Sequence, residues 1–127
     1  MDAETELDVN QRDIDRVGLS EAGTNALEIV MQEGHFKNQM ACYRFAVALA
    51  IREKVDISSH NVVRPAGHHM YLQSQIDPDG IFATAIAETN SKYKNVKYRA
   101  LERYADLGVQ LLARKLDAGE SIFYWVN

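Results

Sequence analysis

The stretch FKNQMACYRFAVALAI, residues 36 to 51, has helical spacing but carries apolar residues on too many faces. A helix on the surface of a monomer needs one apolar stripe and one polar face. Between Met40 and Ile51 only Arg44 is charged, and two stripes run along the segment. Met40, Tyr43, Val47 and Ile51 follow one, and Phe45, Ala48, Leu49 and Arg52 follow the other. At 127 residues the chain reads as a single domain with a core too small to hide such a helix easily. A second subunit is therefore the expected cover, with Phe45, Leu49 and Arg52 near the contact.

Local punctuation divides the chain around this helix. Residues 1–12 lack apolar periodicity and read as a disordered acidic arm. Residues 13–19, DIDRVGL, read as a short strand, with Val17 and Leu19 on one face and Arg16 and Gly18 on the other. Ser20 can accept a free amide and open a helix over 21–33, which Gly34 stops. Asn38 is the expected cap of the next helix, which runs to about Lys54. Residues 56–76 contain Pro65 and Gly67 and read as a loop or short extended piece. Asp77 and Pro78 signal a helix start, with an end near Glu88. TNSKYKN at 89–95 breaks the pattern, a longer helix follows over 96–116, and SIFYWVN closes the sequence with an apolar tail. Such a tail should dock or pair, since exposed it would promote association. The reading is a mainly α chain: a core over 13–55, then a C-terminal helical region over 77–127.

Charge and apolar content bound the function classes. No apolar run reaches the roughly 18 residues of a membrane span, and the acidic start lacks the basic region of a signal peptide, so a cytoplasmic location is expected. Cys42 is the single cysteine and sits inside the apolar helix, the place of a core thiol. The net charge of −4 is unevenly spread. Asp2, Glu4, Glu6, Asp8, Asp13 and Asp15 against Arg12 alone give residues 1–15 a balance of −5, which leaves the rest at +1. A near-neutral folded part is compatible with DNA without requiring it.

A short strand, a helix, a Gly-centred turn and a second helix over 14–54 resemble the ribbon-helix-helix (MetJ/Arc-like) DNA-binding fold. The second helix of that family often reads S-R-S-E-A-I-R-E-A; Asn38, Cys42, Tyr43, Arg44 and Ala46 fit it, while Met40 and Ala41 replace polar residues. The resemblance implies that strands from two subunits pair into a ribbon and second helices pack across a twofold. Val17, Leu19, Phe45, Leu49 and Arg52 would then form the dimer interface. LSEAG at 19–23, Asn38 and RFAVALAI at 44–51 also look like the small DndE-type subunit of DNA sulfur-modification systems, and IDPDGIFATAIAE is loosely similar too. Members of that family assemble as oligomers and bind DNA. A helix-turn-helix or a plain helical bundle stays open as an alternative.

The resemblance makes Arg16 the expected base-reading residue, since outward side chains of the ribbon enter the major groove in that family. Lys37 and Asn38, at the start of the second helix, suit a phosphate, or serve as solvated loop and cap. A basic stretch, SKYKNVKYRALER at 91–103, sets Lys92, Lys94, Lys97, Arg99 and Arg103 against Glu102 alone, with Tyr93 and Tyr98 interleaved. Basic groups with aromatic neighbours can track a phosphate backbone. Positive charge at a helix start opposes the dipole, which suggests a partner that needs it there. His60, His68 and His69 fall in the middle loop, where adjacent histidines do not easily share a metal without a third ligand nearby, and Asp77 and Asp79 suit a turn. No Gly-rich phosphate loop or nucleophile motif is present in the sequence. The expectation is an oligomeric, non-enzymatic DNA-binding protein without metal or cofactor, either a repressor or an accessory subunit of a DNA modification or defence complex. The alternative is a protein-interaction scaffold that dimerises without binding DNA.

Overall fold

The computed structural model describes residues 6–65 and 70–121. It is mainly helical, with one small antiparallel sheet: β1 (Arg16–Val17), α1 (Glu21–Gln32), α2 (Gln39–Arg52), β2 (Tyr71–Leu72), α3 (Gln73–Ile76), α4 (Ile81–Thr89) and α5 (Lys97–Asp117). A 3-10 turn over Ser91–Tyr93 leads into α5. His68, His69 and the apolar tail beyond Ser121 lie outside the described residues.

The helix ends follow local chemistry. Ser20 Oγ accepts from Gly23 N at 3.1 Å and opens α1, and Asn38 Oδ1 accepts from Ala41 N at 2.8 Å and opens α2. Gly34 takes φ 78° just after α1, a left-handed position that a Cβ would strain. Asp77 behaves differently from the simple cap expected of it. Helix α4 begins only at Ile81, and the Asp77 carboxylate spans the Pro78–Gly80 turn to accept from Phe82 N and Ala83 N, both at 3.0 Å.

Helix α5 is the pillar. Helices α1, α2 and α4 and strand β1 all pack on it. Its buried side chains include Ala100, Leu101, Tyr104, Ala105, Val109 and Leu112. At the α2 crossing the two backbones meet: a Cβ added at Gly108 would lie 2.8 Å from the Ala46 carbonyl carbon and closer still to its oxygen. Small residues at a crossing let helices approach in this way, and Ala46 and Ala50 supply the other side.

This crossing covers much of the two-sided helix within the chain, although Ala48 and Arg52 of the second stripe stay exposed. Cys42, Tyr43, Ala46, Val47, Leu49 and Ala50 are all buried within the one chain. Leu49 lies against the chain's own core at 1% exposure, as do Val17 at 0% and Leu19 at 1%. Phe45 is half-buried beside Phe36, ring centroids 5.3 Å apart, and Arg52 is exposed. Burial pushes the Cys42 thiol up to about 12, which suits a packed thiol rather than a nucleophile.

The loop expected over 56–76 contains β2 and α3. Strand β1 pairs with β2 of the same chain, Arg16 opposite Leu72 and Val17 opposite Tyr71. Beneath them the Tyr43 hydroxyl donates to Gly18 O at 3.0 Å, and its ring meets Tyr71 edge-on at 5.3 Å. The acidic arm is engaged from Glu6 onward: Leu7 N donates to Ser58 O at 3.1 Å, and Leu7 and Val9 pack on the core. Residues 1–5 lie outside the described residues. Among the described residues no helix is long and apolar enough to cross a membrane.

Candidate functional site

The basic stretch lies where the chain turns from α4 into α5. Tyr93 and Val96 are buried and act as anchors, so the residues between and beside them, Lys92, Lys94 and Asn95, face outward. Asn90 Oδ1 accepts from Lys92 N at 3.3 Å and fixes the 3-10 turn. The positive charge is less opposed by the helix dipole than the sequence suggests, because Asp13 caps α5. Its two carboxylate oxygens accept from Tyr98 N at 3.0 Å and Arg99 N at 2.9 Å.

The five cations divide into two groups. Lys92 and Lys94 are exposed and Lys97 is half-buried, and none of the three takes part in an ion pair among the described residues. Lys92 Nζ sits 5.1 Å from the Tyr93 ring centroid. Arg99 and Arg103 are structural ties. Arg99 Nε donates to Arg12 O at 2.6 Å, and buried Arg103 donates through NH1 to Ile57 O and Ser58 O at 2.9 and 3.0 Å. Burial is also what lowers the Arg103 pKa.

Lys92 lines an open groove of about 430 Å³ between the end of α2 and the start of α5, shared with Lys54, Asp56, Asn90, Tyr93 and Tyr104. A second cleft of about 390 Å³ holds Arg64, Arg99 and Arg103 together with Glu6, Asp8 and Glu102. There Glu6 and Asp8 of the acidic arm share a cleft with the three arginines.

The other DNA candidates are scattered. Arg16 is exposed on β1, and its carbonyl accepts from Arg64. Lys37 and Asn38 are exposed at the start of α2, where the Asn38 side chain is already spent on its cap.

A polar network escaped the sequence reading altogether. Asp106 is fully buried in α5, yet accepts from Ser20 N at 2.8 Å and from Ser20 Oγ at 2.9 Å, and faces His60 Nε2 at 2.7 Å. One turn earlier, Glu102 accepts from Gly18 N at 2.8 Å and pairs with Arg64 Nε at 3.3 Å. Burial raises the Glu102 pKa, and the Arg64 charge pulls it back. Every buried polar side-chain atom among the described residues has a partner. So complete a network ties α5 to Gly18, Ser20 and His60. The signal available in the sequence was the i, i+4 spacing of Glu102 and Asp106 on the same stretch of α5 as Leu101 and Ala105. His60 is taken up by Asp106, and no group of three or more His, Cys, Asp or Glu among the described residues is placed to hold a metal. No family model, curated protein or solved structure matches this chain.

Proposed function

We propose that this is a non-enzymatic DNA-binding protein that grips the phosphate backbone at the entrance to α5, serving as a repressor or as an accessory subunit of a DNA modification or defence complex. One observation carries the reading. Lys92, Lys94 and Lys97 are held together at the surface by the buried Tyr93 and Val96, without a carboxylate in ion-pair contact among the described residues. Clustered surface cations stabilise a bound polyanion through counterion release. The ribbon-helix-helix resemblance contributes less, because the β1 edge that would pair with a second subunit's strand has β2 beside it. Backbone contact through α5 with Arg16 as a secondary base contact is the form that suits this geometry. Self-association remains part of the proposal through Phe45 and Arg52, the two expected interface residues that are not fully buried in the chain.

A second reading, a protein-interaction scaffold that does not bind DNA, is favoured by the arm: Glu6 and Asp8 line the arginine cleft that a backbone phosphate would otherwise enter. A binding series on random duplex at several salt concentrations decides between them. Each phosphate contact contributes about −0.9 to the slope of log affinity against log salt, so replacing Lys92, Lys94 and Lys97 with Gln flattens it by roughly 1 to 3 units. Absence of binding to any duplex at low salt refutes the DNA reading and leaves the scaffold.

A further inference from the structure

Lys54 stands out by its backbone. Among the described residues it is the only one other than glycine with positive φ, at 54°. It follows the Glu53 C-cap of α2, and the hydrogen bonds around it define the turn. Lys54 N donates to Ile51 O at 3.1 Å, and Val55 N donates to Ala50 O at 3.0 Å. These are the two bonds of a Schellman ending, whose left-handed position normally belongs to glycine. The helix would close without strain on Gly, as α1 does at Gly34. A side chain kept in a strained conformation points to a use for that side chain.

The side chain lines the same groove as Lys92. Lys92 comes from the 3-10 turn on the far wall, its backbone fixed by Asn90 and its ammonium set beside the Tyr93 ring. Tyr93 and Tyr104 are both buried and form a firm floor. Asp56 is the one carboxylate on the groove wall. Its Oδ1 is occupied by Ser58 N at 2.9 Å and Ser58 Oγ at 2.7 Å, the hydrogen bonds that chiefly lower its pKa. Asp56 also lies within electrostatic reach of Lys92, and two lysines against this one carboxylate leave the lining side chains one positive charge in surplus. About 430 Å³ is also within the range of small-ligand sites.

We propose that this groove is a phosphate-binding site whose two cationic jaws are Lys54 and Lys92. It rests in part on the reading of Lys92 as a phosphate contact and adds Lys54, which lies outside the basic stretch. The phosphate can belong to a small phosphorylated ligand or to a nucleic-acid backbone. Lysine suits either, as a mobile point charge with three donors.

Calorimetric titration of the full chain with inorganic pyrophosphate, and separately with random duplex, tests the proposal. Pyrophosphate is expected to bind, and both Lys54→Gln and Lys92→Gln to raise its dissociation constant about tenfold or more. Lys54→Gly is expected to lose binding equally while its melting temperature holds or rises, since glycine relieves the strained turn. Asp56→Asn is expected to tighten binding. If pyrophosphate displaces the duplex, the backbone is the source of the phosphate; if pyrophosphate binds and the duplex does not, a small ligand is, and the DNA reading falls alone. No binding of pyrophosphate to the wild type overturns the groove, even if duplex binds elsewhere. Binding by Lys54→Gln indistinguishable from the wild type overturns it as well.

Discussion

Replacing Gly108 with alanine pits a local gain against a tertiary loss. In an unencumbered helix the change would stabilise by up to about 1 kcal/mol, because glycine has the more flexible unfolded chain. Here the new methyl would stand 2.8 Å from the Ala46 carbonyl carbon, 3.2 Å from the Ala50 Cβ and nearer still to the Ala46 oxygen. The obstruction is backbone, so no rotamer change relieves it, and α2 must withdraw from α5. That withdrawal loosens Ala46, Val47 and Ala50, all buried at 0% exposure. Overpacking a tight core costs about 1–3 kcal/mol, more when helices have to shift. A backbone obstruction puts the cost at the upper end of that range, so the net expectation is a loss of about 2 kcal/mol once the propensity gain of about 1 kcal/mol is deducted. Urea unfolding followed by circular dichroism should show a lower midpoint with an unchanged m-value. Gly108→Ala as stable as the wild type, or more so, would refute the backbone-to-backbone crossing, and with it the account of how the two-sided helix is covered.

Asp106→Ala should cost about 1–3 kcal/mol in the same assay, because it removes the acceptor of the part-buried Ser20 amide and hydroxyl and the partner of His60. An unchanged midpoint would mean that Ser20 and His60 find other partners. Alkaline stability follows from the tyrosines. Burial, followed by the hydrogen bond to Asp77, pushes Tyr98 from 10.0 up to about 12, and burial raises Tyr43, Tyr71 and Tyr104 as well. Between those values the folded state binds more phenolic protons than the unfolded one, so stability falls as pH rises from 10.0 toward 12. Tyrosinate absorbance should therefore appear together with the loss of helical circular dichroism; full tyrosine titration with the helices intact would contradict the burial.

How much of this was legible depended on distance along the chain. Ser20, Asn38 and Gly34 act within a few residues of themselves, and the helix limits near them agree with the sequence to within a residue or two. The strand was legible in part: β1 covers only Arg16–Val17 of the expected 13–19, and Gly18, expected to face outward, is buried with its N–H on Glu102. The strand's partner was not legible, because Tyr71 and Leu72 carry no signal that they pair with it. The cover on α2 was misassigned in part: the chain itself buries Leu49, while Phe45 and Arg52 are not fully buried. The excess apolar surface was read correctly, but a second subunit was invoked where Gly108 lets α5 approach closely enough to supply the cover. Glu102 entered the sequence reading only as the lone acid within the basic stretch, and Asp106 did not enter it at all. Only tertiary structure reveals that Gly18 and Ser20, 84 and 86 residues away, bring the amides that make their burial tolerable. The phosphate candidates followed the same rule. Lys92 and Lys94 were visible as a run, whereas Lys54 joins them only through the fold.

The dependence of everything on α5 also sets a timetable. On the ribosome, β1, α1 and α2 emerge first, and the helix that they bury themselves against emerges last among the described elements. Synthesis from Arg52 to Lys97 takes on the order of several seconds at about 5–20 residues per second. Through that interval α2 has α1 beside it but lacks α5, the helix that it packs against most extensively. The nascent protein is therefore a substrate for holdase chaperones and proteases until α5 clears the exit tunnel, and a message cut short before α5 yields a product that cannot mature.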